Sequence, residues 1–255
     1  MFEEIKEEYF KIKGLDKKVL TIFISVAIIQ TISWYYTSKF FFRINLYQYF
    51  IDNPNVKLYQ YIYWFLGDSF SFFILPTIII AFLLKEKISN YGLKIGNSNF
   101  GLKISFVVVV FMLIVVWFVS SSSSFYLTYP YLSEAKENWT VFFIFEFLLF
   151  LYIFSWEFIW RGFMLFGLEP KFGYYSIFIQ MIPFVILHNG KPVLETFSAI
   201  IGGILLGILA IRTRSILYGV LIHCCLMFSI DLISTLRYRA NEFGIGINSF
   251  LSLFK

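Results

Sequence analysis

Charge is what this 255-residue chain most lacks: Asp, Glu, Lys and Arg together make up 15%, against about 25% in soluble domains. A soluble core of this size cannot hide 59% apolar residues and 22% aromatics, with 34 Phe and 17 Tyr among them. A water-soluble globule is therefore excluded, and a helical membrane protein is expected. Cysteine is nearly absent. Cys224 and Cys225 are neighbours in an apolar run, which excludes a framework of spaced disulfides. Adjacent helical residues point about 100° apart, so a metal site using both is disfavoured too. There is no H-E-x-x-H helix, no repeat of fixed period, and no matching pair of broken helices of the kind a solute carrier shows. No long polar segment is left for a second domain. The first 18 residues are too charged to supply the apolar region of a cleavable signal peptide. The net charge of +5 does not point to nucleic acid, because Lys and Arg stand at the ends of apolar runs rather than in one patch.

What is present is a series of apolar runs, at about 19–36, 59–84, 104–119, 141–168, 174–188, 195–211 and 215–232. The mean hydropathy of the chain is +0.75. Several runs approach the ~20 residues needed to cross a bilayer core of ~30 Å. The shorter ones would need flanking polar residues at membrane depth. The fold class expected is all-α, a polytopic transmembrane helical bundle of about seven to eight spans. Residues 1–89 would form a surface helix and two leading spans, 90–236 the core, and 237–255 a short tail with an interfacial apolar stretch. Phe2, Ile5, Tyr9 and Ile12 recur at helical spacing with Glu3, Glu4, Glu7 and Glu8 between them, the pattern of an amphipathic helix lying on a membrane. The distribution of Lys and Arg between alternate loops places the N-terminus in the cytoplasm, although Arg237 and Arg239 run against that bias.

Ionisable residues inside spans are costly, and they mark functional sites by default. They concentrate in the second half: Glu157, Arg161, His188, Glu195, His223 and Asp231, with the two histidines the only ones in the chain. If the turns at 169–173 and 212–214 share one face, a rise of ~1.5 Å per residue places Glu157, His188 and His223 roughly 16, 21 and 14 Å from it. One carboxylate and two imidazoles from three spans would then meet at mid-membrane. Glu195 and Asp231 come out about 27 and 24 Å from the same face, flanking the outer mouth or pairing with nearby donors. A carboxylate in an apolar setting gains basicity and can take a proton from an attacking water. One imidazole can orient that water or protonate the leaving amine, and a second can donate to the developing oxyanion.

At these residues the sequence resembles the CPBP family of intramembrane proteases, which includes the CAAX prenyl endopeptidases and bacteriocin-processing or self-immunity proteins. The family motifs are EExxxR, FxxxH and HxxxN on successive membrane helices. Trp156-Glu157-Phe158-Ile159-Trp160-Arg161 stands at the first. Phe184-Val185-Ile186-Leu187-His188 matches the second in full. His223-Cys224-Cys225-Leu226-Met227 keeps only the His of the third. Tyr91-Gly92-Leu93 resembles the short turn upstream of the core. The resemblance implies an endopeptidase acting on a membrane-embedded or lipidated peptide in the lipid bilayer, most simply a bacterial cytoplasmic membrane. It assigns Glu157 as base, His188 as water-orienting partner and His223 as oxyanion helper, with Arg161, Glu195, Asp231 and Phe184 in support. Two departures stand out. Trp156 replaces the first Glu, the family's presumed water activator, and Met227 replaces the Asn. The chain is thus either an active variant or a degenerate scaffold or immunity protein.

Plainer roles exist for the same residues. Glu157 and Arg161 are spaced i, i+4 and can form a buried salt bridge. His188 precedes Asn189-Gly190 and Pro192, a helix stop where an imidazole meets the helix dipole. Glu195 can simply favour a helix N-terminus, and Asp231 and Asp68 can be paired structural acids. Ala199, Gly203 and Gly207 read as a close-packing stripe, and Pro183 as a bend before His188. Glu157, His188 and His223 would be the ligands if zinc were present. The metal-free glutamate mechanism uses the same three, so no cofactor is required.

Overall fold

A computed structural model describes residues 1, 5–7, 11, 13–191 and 193–254 of the chain. Phe2, Glu3, Glu4, Glu8, Tyr9 and Ile12 of the expected surface helix lie outside the described residues, as does Pro192. The described residues are all-α with no strands, as expected of a chain whose backbone must satisfy its own hydrogen bonds in lipid. Six helices are long and apolar enough to cross a bilayer: α1 (Lys17–Asn45), α2 (Val56–Leu84), α3 (Ser98–Val119), α4 (Trp139–Phe172), α6 (Val193–Thr213) and α7 (Leu217–Ala240). Between α4 and α6 lies the shorter α5 (Tyr175–Ile186).

Local chemistry sets the helix starts. Asp16 accepts from the Lys18 and Val19 amides at 2.9 and 3.1 Å and caps α1. Asn97 caps α3, and Asn138 caps α4 through Thr140 and Val141. Each side chain satisfies amides that the first helical turn leaves unpaired. Left-handed residues end the helices, Lys85 after α2 and Asn241 after α7.

Polar contacts divide the loops between two ends of the bundle. At one end Lys18 pairs with Glu86 at 2.9 Å and Arg214 with Glu169 at 2.6 Å. Asn97 donates its amide to the Thr213 carbonyl there. The start of α1 thus meets the end of α2, and the ends of α4 and α6 meet the starts of α3 and α7. Tyr91-Gly92-Leu93 packs at this end. Gly92 has φ +82°, and a side chain on it would strike Phe166 and Ile216. Its carbonyl takes the Ile216 amide at 3.0 Å. At the opposite end Lys57 pairs with Glu134 and Arg239 donates to the carbonyls of Lys136 and Glu137.

The centre of the bundle is α4. In its most apolar window 61% of residues are buried, against 11% for α3, so α4 is wrapped by other helices while α3 turns most of its surface to lipid. Phe106, Val107, Phe111 and Ile114 are accordingly exposed. The small-residue stripe of α6 packs as expected. A side chain built on Gly203 would meet Met181 and Phe184 of α5, and one on Gly207 would meet Ile177.

Three expectations need correcting. The run 174–188 is not a full span, because α5 has 12 residues and reaches only about 18 Å. The last helix does not stop near Leu232 but continues to Ala240. Arg237 is accordingly no part of a tail. It is fully buried, donating to Ser120 Oγ at 2.8 Å, to the Trp117 carbonyl at 3.0 Å and to the Glu242 and Gly244 carbonyls. A guanidinium with this many acceptors needs no water. The apolar stretch beyond it forms a short helix, Ile247–Ser252.

Candidate active site

Glu157 lies near the middle of α4, where regular helix gives way to wide π turns over Phe158–Phe166. Such widening shifts the faces that later residues present, and it recurs at functional sites. Glu157 is completely buried. Its Oε1 faces two partners: the Arg161 guanidinium at 3.2 Å and Nδ1 of His223, from α7, at 2.9 Å. Glu157 Oε2 has no partner among the described residues. It faces Gly219, one turn before His223, where a built Cβ would lie 3.2 Å away. A side chain here would press the carboxylate away by a few tenths of an ångström.

The His223 side chain is 20% exposed while Glu157 is 0% exposed. The imidazole is therefore the more accessible member of the pair. With Nδ1 donating to Glu157, a neutral ring presents Nε2 as an acceptor.

His188 sits just past the end of α5, in the turn that leads to α6. α5 reaches about 18 Å while α6, with 21 residues, spans about 31 Å, so this turn bridges the difference in length between the two helices. The His188 Nδ1–H donates to the Phe184 carbonyl at 2.8 Å, which leaves Nε2 free. The ring packs on Phe184, with centroids 4.5 Å apart, and against Trp156 at 6.1 Å. The Arg161 guanidinium lies 4.0 Å over the other contact of this group, the Phe184 ring. Phe184 thus joins His188 to the Glu157–Arg161 pair, although His188 bonds to neither Glu157 nor His223. Trp156, at the position of the missing Glu, is buried among Phe72, Trp160, Phe184 and His188.

The acids expected at the outer mouth divide. Glu195 pairs with Lys191 at 2.7 Å and accepts from the Tyr129 hydroxyl. Tyr131 donates to Tyr129 in turn at 3.3 Å. Burial, with Tyr131 and Glu195 beside it, holds the Tyr129 phenol above its ordinary range. This ties the 129–132 loop to the start of α6, close to His188. Asp231 finds no such donor. Its carboxyl and that of Glu146 on α4 are both buried, and neither has a hydrogen-bond partner among the described residues. Asp68 is held by Ser33, Thr37 and Trp64, a structural role. Sequence reading missed Glu146, although an acid inside the fourth apolar run was signal enough. It also missed Gly219 and Tyr129, which nothing local distinguishes.

The donor set does not fit zinc. Among the described residues no group of three or more His, Cys, Asp or Glu side chains converges as metal ligands. Glu157 Oε1 is taken by Arg161 and His223, and the two histidines do not share a point with it.

Residues 137–229 match the family model described as type II CAAX prenyl endopeptidase Rce1-like. Over that stretch the chain is similar to the CPBP family of intramembrane proteases. The matched stretch holds Glu157, Arg161, His188 and His223 and stops short of Asp231. No curated protein and no solved structure gives a significant match. The apolar helices and this likeness together support a place in a membrane.

Proposed function

We propose that this protein is an intramembrane endopeptidase that hydrolyses a peptide bond in a membrane-associated or lipidated substrate. The observation that carries the reading is the contact of Glu157 with His223 inside the bundle, with His223 the more accessible of the two. In this proposal the pair acts as one acid–base unit. Water adds its oxygen to the peptide carbonyl carbon while its proton passes to Nε2 of His223. Glu157 holds the ring in the required tautomer and stabilises the imidazolium, the division of labour seen in carboxylate–histidine dyads. The proton then goes to the leaving nitrogen as the C–N bond breaks. This shifts the first basic role from Glu157 to His223, because a fully enclosed carboxylate cannot reach a substrate directly. His188 Nε2 orients the water. The Nε and NH2 groups of Arg161, unpartnered among the described residues, are donors available to negative charge forming beside Glu157.

The clustering of Lys17, Lys18, Lys85, Lys87, Lys171, Arg212 and Arg214 at the Glu169–Arg214 end supports a cytoplasmic N-terminus in a bacterial membrane. One observation favours the alternative of an inactive scaffold or immunity protein. Trp156 fills the space beside His188 with an indole where the family carries a carboxylate. The deciding experiment is cleavage of lipidated and unlipidated peptides by protein in vesicles, with Glu157→Gln, His188→Ala and His223→Ala. A loss of at least ~10²-fold in the His223 and Glu157 variants is expected. Cleavage undiminished by all three substitutions removes the mechanism, and its complete absence in wild type favours the scaffold.

A further inference from the structure

Glu157, Arg161 and His223 are carried by long helices, whereas His188 stands in a turn. Among the described residues its ring has one hydrogen bond, from Nδ1–H to the Phe184 carbonyl at 2.8 Å. The direction of Nε2 therefore follows the placement of the turn itself. That turn is held from α6. The His188 carbonyl accepts from the Lys191 amide at 3.2 Å and from the Thr196 hydroxyl at 2.9 Å. Beside Thr196 in the first turn of α6 is Glu195, and both of its carboxylate oxygens are engaged. Oε1 accepts from Lys191 Nζ at 2.7 Å, and Oε2 accepts from the Tyr129 hydroxyl.

The two bonds to Glu195 are unequal. Lys191–Glu195 is a part-exposed i, i+4 pair, and such pairs hold little on their own. Tyr129 is buried, with 2% exposure, and a hydroxyl given to a carboxylate away from water makes a strong, charge-assisted bond. Tyr129 is not free to follow α6. Its ring packs on Phe125 and on Tyr131, with centroids 4.9 Å apart in each case. Its oxygen accepts from the Tyr131 hydroxyl at 3.3 Å. The Tyr131 carbonyl accepts from the Tyr61 hydroxyl of α2 at 2.9 Å. Leu132, next in the loop, is buried in one core with Phe142 and Phe145 of α4. The 129–132 loop is thus fixed to α2 and α4, and the Tyr129–Glu195 bond carries that fixity to the turn bearing His188.

We propose that Tyr129 and Glu195 are positioning residues for His188. Their bond anchors the first turn of α6 to the 129–132 loop, which keeps His188 Nδ1–H on the Phe184 carbonyl and presents Nε2 as an acceptor. Use of that acceptor in cleavage rests on the proposed peptidase reading; the positioning itself does not.

The chain has two histidines, so ¹⁵N-histidine NMR of the protein in phosphatidylcholine vesicles yields two ring systems, told apart by His223→Gln. Wild-type His188 should show one neutral ring with its proton on Nδ1. Tyr129→Phe, which removes a single oxygen, and Glu195→Ala should both turn that signal into a mixture of tautomers and leave His223 as it was. Glu195→Gln keeps an acceptor for the phenol and should stay close to wild type. Where wild type cleaves peptide, Tyr129→Phe should lower kcat about tenfold with little change in KM. A His188 signal unmoved by both Tyr129→Phe and Glu195→Ala overturns the proposal. So does wild-type His188 with its proton on Nε2, a result that depends on no variant folding. A His223 signal altered as much as that of His188 would reveal general loosening instead, and Glu195→Gln matching Glu195→Ala would assign the turn to Lys191; each also overturns it. A wild type that cleaves nothing, with the His188 signals behaving as expected, counts against the peptidase and for the positioning.

Discussion

Replacing Glu157 by Gln should separate its two tasks. The carboxylate neutralises Arg161 at 3.2 Å in a fully enclosed setting. Removing one partner of a buried pair leaves the other charge uncompensated, at a cost of about 3–5 kcal/mol. For a chain of this size that lowers Tm by roughly 10 °C. Gln also offers an amide where His223 Nδ1 expects an acceptor, which admits the wrong imidazole tautomer. Disruption of that kind in a carboxylate–histidine dyad lowers kcat by about 10⁴-fold. The double variant Glu157→Gln/Arg161→Met removes both charges and should recover most of the lost Tm. Its cleavage should stay as low as in the single variant. The assays are thermal unfolding in mild detergent and peptide cleavage in vesicles. A Glu157→Gln protein as stable as wild type would show that Arg161 does not depend on the carboxylate. A double variant that regains activity with its stability would show that Glu157 serves only to balance charge.

Two further outcomes follow from the packing. Gly219→Ala puts a methyl 3.2 Å from Glu157 Oε2, so it should lower kcat by about tenfold through displacement of the dyad while shifting Tm little. Arg237→Met should lower Tm by roughly 10 °C, because the Ser120, Trp117 and Gly244 acceptors lose their donor at about 1–3 kcal/mol for each buried group left unpaired. An unchanged melt would place Arg237 in water rather than within the bundle.

The sequence by itself determined that this chain is a helical membrane bundle, since so few charges and such long apolar runs leave the backbone no other way to satisfy itself in lipid. It also marked Glu157, Arg161, His188 and His223, because intramembrane ionisable groups are rare enough to be conspicuous, and a fixed rise per residue converted their positions into depths. Depth is a one-dimensional quantity. Which side of a helix a residue faces, and which helix stands opposite, depend on packing between segments distant in the chain. Only the tertiary structure therefore decided that Glu157 touches His223 but not His188. The same holds for the early end of α5, set by the 187–191 turn, and for the close approach of Gly219 to the carboxylate.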